Sequence, residues 1–189
     1  MVSFTAIYDA CVLYPAPLRD FLLRLATTEL FRARWTDHIH DEWIGGVLRN
    51  RQDITAEQLA RTRQLMNQAV PDCLVTGYEE LIGSLALPDP KDRHVLAAAI
   101  RCQAGVIVTF NLNDFPAEII GRYGIEAQHP DEFIGHLLDL DRGAVCHVAS
   151  LQRQALRNPA KSPEEFLDTL LRQGLAETVA QLRDMVELL

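Results

Sequence analysis

From residue 2 to about residue 140, short runs of β-branched and aromatic residues alternate with segments of helical period. That alternation leaves few folds open. A strand followed by a helix and a further strand of the same sheet returns parallel to the first, so the pattern calls for an α/β fold with a mainly parallel sheet. The expected strands are residues 2–8 (VSFTAIY), 73–76, 106–109 and 125–127. Ligand sites in such sheets gather beyond the carboxyl ends of the strands. Asp9 ends the first strand, and Asn111 and Asp114 follow the third.

The helices between them are marked by their ends. Thr36 or Asp37 suits the cap of a helix carrying Ile39, Trp43, Ile44, Val47 and Leu48 on one side. Phe21, Leu22, Leu25 and Leu30 share helical spacing before it. Thr55 with Gln58 three residues on forms a capping box. A short helix is expected over residues 79–84. Asp89 as N-cap, Pro90 at the first position and Asp92 at the third open a helix that runs to Gly105. Pro116 opens another turn, and a further helix begins near Asp131.

After residue 140 the strand signals stop. Two helical segments are expected, separated by Asn158 and Pro159, the second opened by Ser162, Pro163 and Glu165. Phe166, Leu170, Val179, Leu182 and Val186 give it an apolar stripe. The expected organisation is a domain over residues 1–140 and a helical extension over 141–189. The extension would either cover an edge of the domain or bind a partner.

Composition removes several function classes. No apolar run reaches the roughly 20 residues that span a bilayer, and the opening MVSFTAIYDA lacks the basic region of a signal peptide. Cys11, Cys73, Cys102 and Cys146 stand singly, which argues against a CxxC metal or redox motif and fits buried thiols in a reducing cytoplasm. The net charge is −8, but residues 67–140 hold 11 acidic and 4 basic side chains, while residues 1–66 hold 8 of each. Diffuse adhesion to a polyanion is excluded; local contact with one through the arginine-rich first third is not. Arg32, Arg34, Arg49, Arg51, Arg61 and Arg63 are the candidates there.

Four acids stand out: Asp9 after the first strand, Glu42 in a helix, Asp92 at a helix start and Asp114 after a later strand. Gathered together they would repel one another unless a divalent cation compensates, and hard oxygen donors suit Mg²⁺ or Mn²⁺. Solvation and capping account for most acids in most proteins, so spacing alone does not settle the matter. Asp89 suits a cap. His38, His40 and His94 are expected to be satisfied or exposed histidines, and Trp35 and Trp43 core residues.

The segments AIYDACVLYP, WTDHIHDEW, DPKDRHVLAAAI and IVTFNLNDFP, in this order, resemble the PIN-domain family, in particular the VapC-like toxins of bacterial toxin–antitoxin pairs. The likeness spans about residues 3–138, and the tail resembles the helical extension of a longer VapC-like subgroup. It implies a three-layer α/β/α fold and a metal pocket lined by Asp9, Glu42, Asp92 and Asp114. Thr109 and Asn111 match the family's TxN signature, with a hydroxyl and an amide placed to orient Asp114 or a bound water.

The implied activity is a cytoplasmic, Mg²⁺- or Mn²⁺-dependent endoribonuclease cutting structured RNA such as tRNA or rRNA. A cognate antitoxin and a homodimer are the implied protein partners. The alternatives are an RNA-processing nuclease without an antitoxin and a non-catalytic RNA- or protein-binding module.

Overall fold

The computed structural model describes residues 4–189. Four strands form one sheet: β1 (Thr5–Tyr8), β2 (Arg32–Arg34), β3 (Val106–Val108) and β4 (Glu126–Gln128). Their order is β2-β1-β3-β4 and every pairing is parallel, with Ile7 opposite both Arg34 and Ile107, and Ile107 opposite Ala127. β1 and β3 occupy the centre. Ala6, Ile7, Tyr8, Val106, Ile107 and Val108 are buried, the near-continuous apolar runs that a sheet covered on both faces requires.

The helices are α1 (Ala10–Leu13), α2 (Ala16–Ala26), α3 (Asp37–Asn50), α4 (Ala56–Ala69), α5 (Glu79–Ile82), α6 (Arg93–Arg101), α7 (Ala117–Ile120), α8 (Pro130–Leu140), α9 (Arg142–Ala155), α10 (Pro163–Leu171) and α11 (Ala176–Arg183). With the sheet they make the expected three-layer α/β/α fold, extended by helices at its C-terminal end. No helix of the described residues is long and apolar enough to cross a membrane.

Local signals are honoured where they are self-contained. Thr36 caps α3 by accepting from the Ile39 amide, and both capping boxes form, Thr55 with Gln58 on α4 and Ser162 with Glu165 on α10. Asp89 caps a single 3₁₀ turn (residues 90–92), after which α6 begins at Arg93 rather than at Pro90.

Other expectations are corrected. Residues 73–76 are not a strand; they contribute only an isolated bridge of Leu74 to Trp35. The edge strand β2 was not expected, because its sequence Arg-Ala-Arg buries one small residue, Ala33, between two arginines. Leu30 lies outside the helix: α2 stops at Ala26, where the Thr27 and Thr28 hydroxyls bond the Arg24 and Leu25 carbonyls and Glu29 turns to φ 62°. The tail holds three helices rather than two, because Gly174 at φ 82° breaks α10 from α11. The expected first strand is found over Thr5–Tyr8; Val2 and Ser3 lie outside the described residues.

The tail is tied into the fold at both ends. Asp131 on α8 is buried and accepts from the Glu177 and Thr178 amides at 2.9 and 2.8 Å, filling the role of a cap at the start of α11. The Gln152 side chain on α9 donates to the Pro17 carbonyl of α2. Phe133, also on α8, enters an aromatic cluster with Phe4, Tyr8 and Phe31.

Candidate metal centre

β1 delivers Asp9 to the carboxyl edge of the sheet, where its amide donates to the Val108 carbonyl of β3. The side chain is only 5% exposed and both its oxygens accept hydrogen bonds. Oδ1 accepts from the Ala10 amide at 2.7 Å, which also caps α1. Oδ2 accepts from the Thr109 hydroxyl at 2.7 Å and from the Cys11 thiol at 3.1 Å. The Thr109 hydroxyl in turn accepts from the Asn111 amide at 3.0 Å. Thr109 therefore orients Asp9, not Asp114. Asn111 is exposed and takes part through its backbone, its carbonyl also accepting from the Asp114 amide.

Cys11 departs from the expectation of a thiol that merely fills space. Its Sγ contacts Asp9 and Thr109 and accepts from the Phe110 amide. Burial first, and then the neighbouring Asp9 charge, push this thiol up to about 12. Cys73 and Cys146 are buried as expected.

Glu42 lies on α3, Asp92 ends the turn before α6, and Asp114 ends a second 3₁₀ turn (residues 112–114) after β3. The Asp92 carboxyl is pushed up to about 6, first by partial burial and then by the negative charges of Asp9, Asp114, Asp89 and Glu42. A single titrating group thus feels the other three expected acids and Asp89 as well. Asp89 keeps its capping bond to the Lys91 amide while adding its charge to this group.

The crowding has a measurable consequence. Asp92 binds its proton more tightly in the fold than in the unfolded chain, where 3.8 is ordinary, so the folded state holds more protons between 3.8 and about 6. Stability of the chelator-treated protein then falls as pH rises through that window. Asp92→Asn removes the charge. Discounted for the solvent still reaching the side chain, the gain at neutral pH is about 1 kcal/mol. Urea unfolding in EDTA should show that gain and its disappearance below pH 3.8. Equal stabilities at neutral pH would mean that the carboxylates are not crowded.

A second arrangement adjoins the first. His38 and Glu42 are four residues apart on α3 and share a face, and α6 brings His94 against them. One ligand atom from each of His38, Glu42 and His94 falls within 4.8 Å of the others, a set able to coordinate a divalent ion. The His38 and His94 rings stack at 3.8 Å, and His94 Nε2 lies 3.1 Å from Glu42 Oε1.

His94 is neither satisfied nor exposed, against expectation: it is 2% exposed and neither ring nitrogen makes a hydrogen bond. Its Nε2 lies at ion-pair distance from Glu42 without a hydrogen bond. The sequence signal for this cluster is the His38–Glu42 spacing of four on one helix.

The other expected residues divide plainly. His40 is buried and fully satisfied, Nδ1 accepting from Trp43 Nε1 and Nε2 bonding Asn67; burial lowers its pKa. Trp35 and Trp43 are core residues. Of the arginines, Arg51 pairs with Asp53, and Arg63 with Asp37 and Asp41. Arg32 and Arg34 line an open hollow of about 570 Å³ along the outer edge of β2. None of the four expected acids lines it.

Comparison with known sequences gives a consistent picture. The family model described as PIN domain matches residues 5–113, and that described as VapC50 C-terminal domain matches residues 130–184. The chain is 43% identical over 97 residues to a protein of Mycobacterium tuberculosis (strain ATCC 25618 / H37Rv) named "Putative ribonuclease VapC50". The aligned stretch covers 51% of this chain and 57% of that relative, a little over half of each. No solved structure matches the chain at a significant level.

Proposed function

The chain belongs to the PIN-domain family, and from that membership we propose that it is a divalent-metal-dependent endoribonuclease, the toxin of a VapBC-like toxin–antitoxin pair. The family match carries the reading, supported by the negative charges of Asp9, Asp114, Asp89 and Glu42, all of which raise the Asp92 carboxyl. Clustered like charge is costly in a fold and is relieved by a cation. Four carboxylates offer hard oxygen donors, a set that fits Mg²⁺ or Mn²⁺.

In this reading Asp9, Glu42, Asp92 and Asp114 hold the ion. When bound, it would acidify a water and neutralise charge building on the phosphate. Thr109, Cys11 and the Ala10 amide fix both oxygens of Asp9, so the carboxylate at the strand end has one orientation. Asn111 keeps the Thr109 hydroxyl in place through its backbone amide. Water adds to phosphorus as the P–O3′ bond breaks, and the products are a 5′-phosphate and a 3′-hydroxyl.

RNA as substrate rests on the relative's name and on the VapC-like tail; tRNA or rRNA as its target comes from the resemblance to VapC-like toxins. A cognate antitoxin, and a homodimer as the toxin's state, belong to the same reading. Purified protein should cleave tRNA or rRNA in Mg²⁺ or Mn²⁺, stop in EDTA and resume when the ion is restored. Expression should arrest growth, and a small neighbouring gene should relieve it. Cleavage without that growth phenotype would indicate an RNA-processing nuclease. Cleavage that is indifferent to EDTA and to Asp92→Asn would sink the metal mechanism.

A further inference from the structure

We propose that His38, Glu42 and His94 form a second metal site, selective for Zn²⁺ and similar late first-row ions, and that its occupation opposes the Mg²⁺-dependent reaction by taking Glu42. The site half of this stands on its own geometry; the inhibitory half rests on the nuclease reading.

The donor set decides the ion. Two imidazoles and one carboxylate suit Zn²⁺, Co²⁺ or Ni²⁺, whereas Mg²⁺ prefers an all-oxygen shell and keeps its waters. The ligand atoms lie within 4.8 Å of one another, and a turn of the His38 ring, stacked on His94 but at an exposed position, would bring its nitrogen onto a shared ion. His38 and Glu42 come from successive turns of one helix, which fixes their spacing, and His94 is held by α6.

The independent sign is His94 itself. A buried imidazole with neither nitrogen hydrogen-bonded is costly, and His94 Nε2 meets only the Glu42 carboxylate, 3.1 Å away. A metal ion held by both would engage that nitrogen. His38 is exposed and Glu42 is 35% exposed, which leaves an approach from solvent.

Glu42 is the hinge of the consequence. It belongs to the His38–His94 cluster by geometry, and its charge also reaches Asp92. A carboxylate bound tightly between two imidazole-held ligands is withdrawn from the acidic pocket. Three acids then remain for the Mg²⁺ or Mn²⁺ ion, and cleavage slows. A ribonuclease built this way is restrained when free zinc rises.

The test begins with full-length, chelator-stripped protein titrated with Co²⁺, followed by Zn²⁺ displacement. Wild type should take up one equivalent at this site with visible d–d absorption of a low-coordinate Co²⁺ ion, and Zn²⁺ should bleach it. His38→Ala, at an exposed position, should weaken Zn²⁺ binding at least about 10-fold, and His94→Gln should do the same. Asp9→Asn and Asp114→Asn should leave the Co²⁺ spectrum intact.

No Co²⁺ or Zn²⁺ binding in wild type would overturn the site, as would binding unaffected by the His38→Ala/His94→Gln pair. In saturating Mg²⁺, one equivalent of Zn²⁺ should inhibit RNA cleavage by wild type but not by His38→Ala, each compared with its own zinc-free rate. Inhibition that persists in His38→Ala would overturn the antagonism. Absence of any cleavage overturns the nuclease reading while the Co²⁺ titration still decides the site.

Discussion

Asp9→Asn is expected to lower metal-dependent RNA cleavage by at least about 10³-fold, a loss of roughly 4 kcal/mol in transition-state stabilisation. The size follows from how completely the carboxylate is used. Both oxygens accept, from the Ala10 amide on one side and from the Thr109 hydroxyl and Cys11 thiol on the other. An asparagine must turn its NH₂ toward one of these donors, so a donor meets a donor and the side chain swings. The pocket also loses one of the charges that would hold the ion.

The substitution should not unfold the protein. A lost hydrogen bond in this position costs about 1–3 kcal/mol, and removing the charge relieves Asp92 in return. Thr109→Val, which leaves the four acids intact and deletes one donor, should cost about 10- to 100-fold. Single-turnover cleavage at saturating Mg²⁺, with far-ultraviolet circular dichroism as the folding control, measures both. A loss below about 10-fold in folded Asp9→Asn would remove Asp9 from the reaction.

How much of this was legible beforehand depended on the range of the interactions involved. Capping boxes at Thr55 and Ser162 were readable because the partners stand three residues apart and owe nothing to the rest of the fold. β1 and β3 were readable because a buried parallel strand needs an apolar run. β2 was not: Arg32 and Arg34 stay at the surface, and only pairing with β1 makes Arg-Ala-Arg a strand. Leu30 misled because its spacing is helical while the neighbouring threonines favour bonding the helix end.

The sites divide in the same way. Asp9, Glu42, Asp92 and Asp114 stand out by their places in the chain, but only the family resemblance joins them into one pocket, since no spacing rule connects residues on four separate elements. The bond from Thr109 to Asp9 links the ends of two neighbouring strands 100 residues apart in the chain and has no local trace. His38 and Glu42 did have one, a spacing of four on one helix. His94 had none, because only the packing of α6 against α3 brings it there.

Phe133→Ala is expected to destabilise the whole protein by about 4 kcal/mol, and the reason lies in where that ring sits. Phe133 belongs to α8, within the span matched by the C-terminal family model, yet its edge meets Phe31 at 5.1 Å, Tyr8 at 6.2 Å and Phe4 at 6.3 Å. Tyr8 belongs to β1 at the centre of the sheet, Phe4 leads into it, and Phe31 leads into the neighbouring β2. Tyr8 is held further by its hydroxyl donating to the Leu22 carbonyl of α2. An alanine leaves a cavity that this fixed neighbourhood cannot collapse to fill, so the cavity cost adds to the lost burial. If the C-terminal helices were an independent appendage, the same change would loosen the tail and leave the sheet's unfolding midpoint where it was. Urea unfolding followed by the fluorescence of Trp35 and Trp43, both of them outside the tail, separates the two: a single transition shifted to lower urea is expected, and an unshifted one would show that α8 is not part of the core.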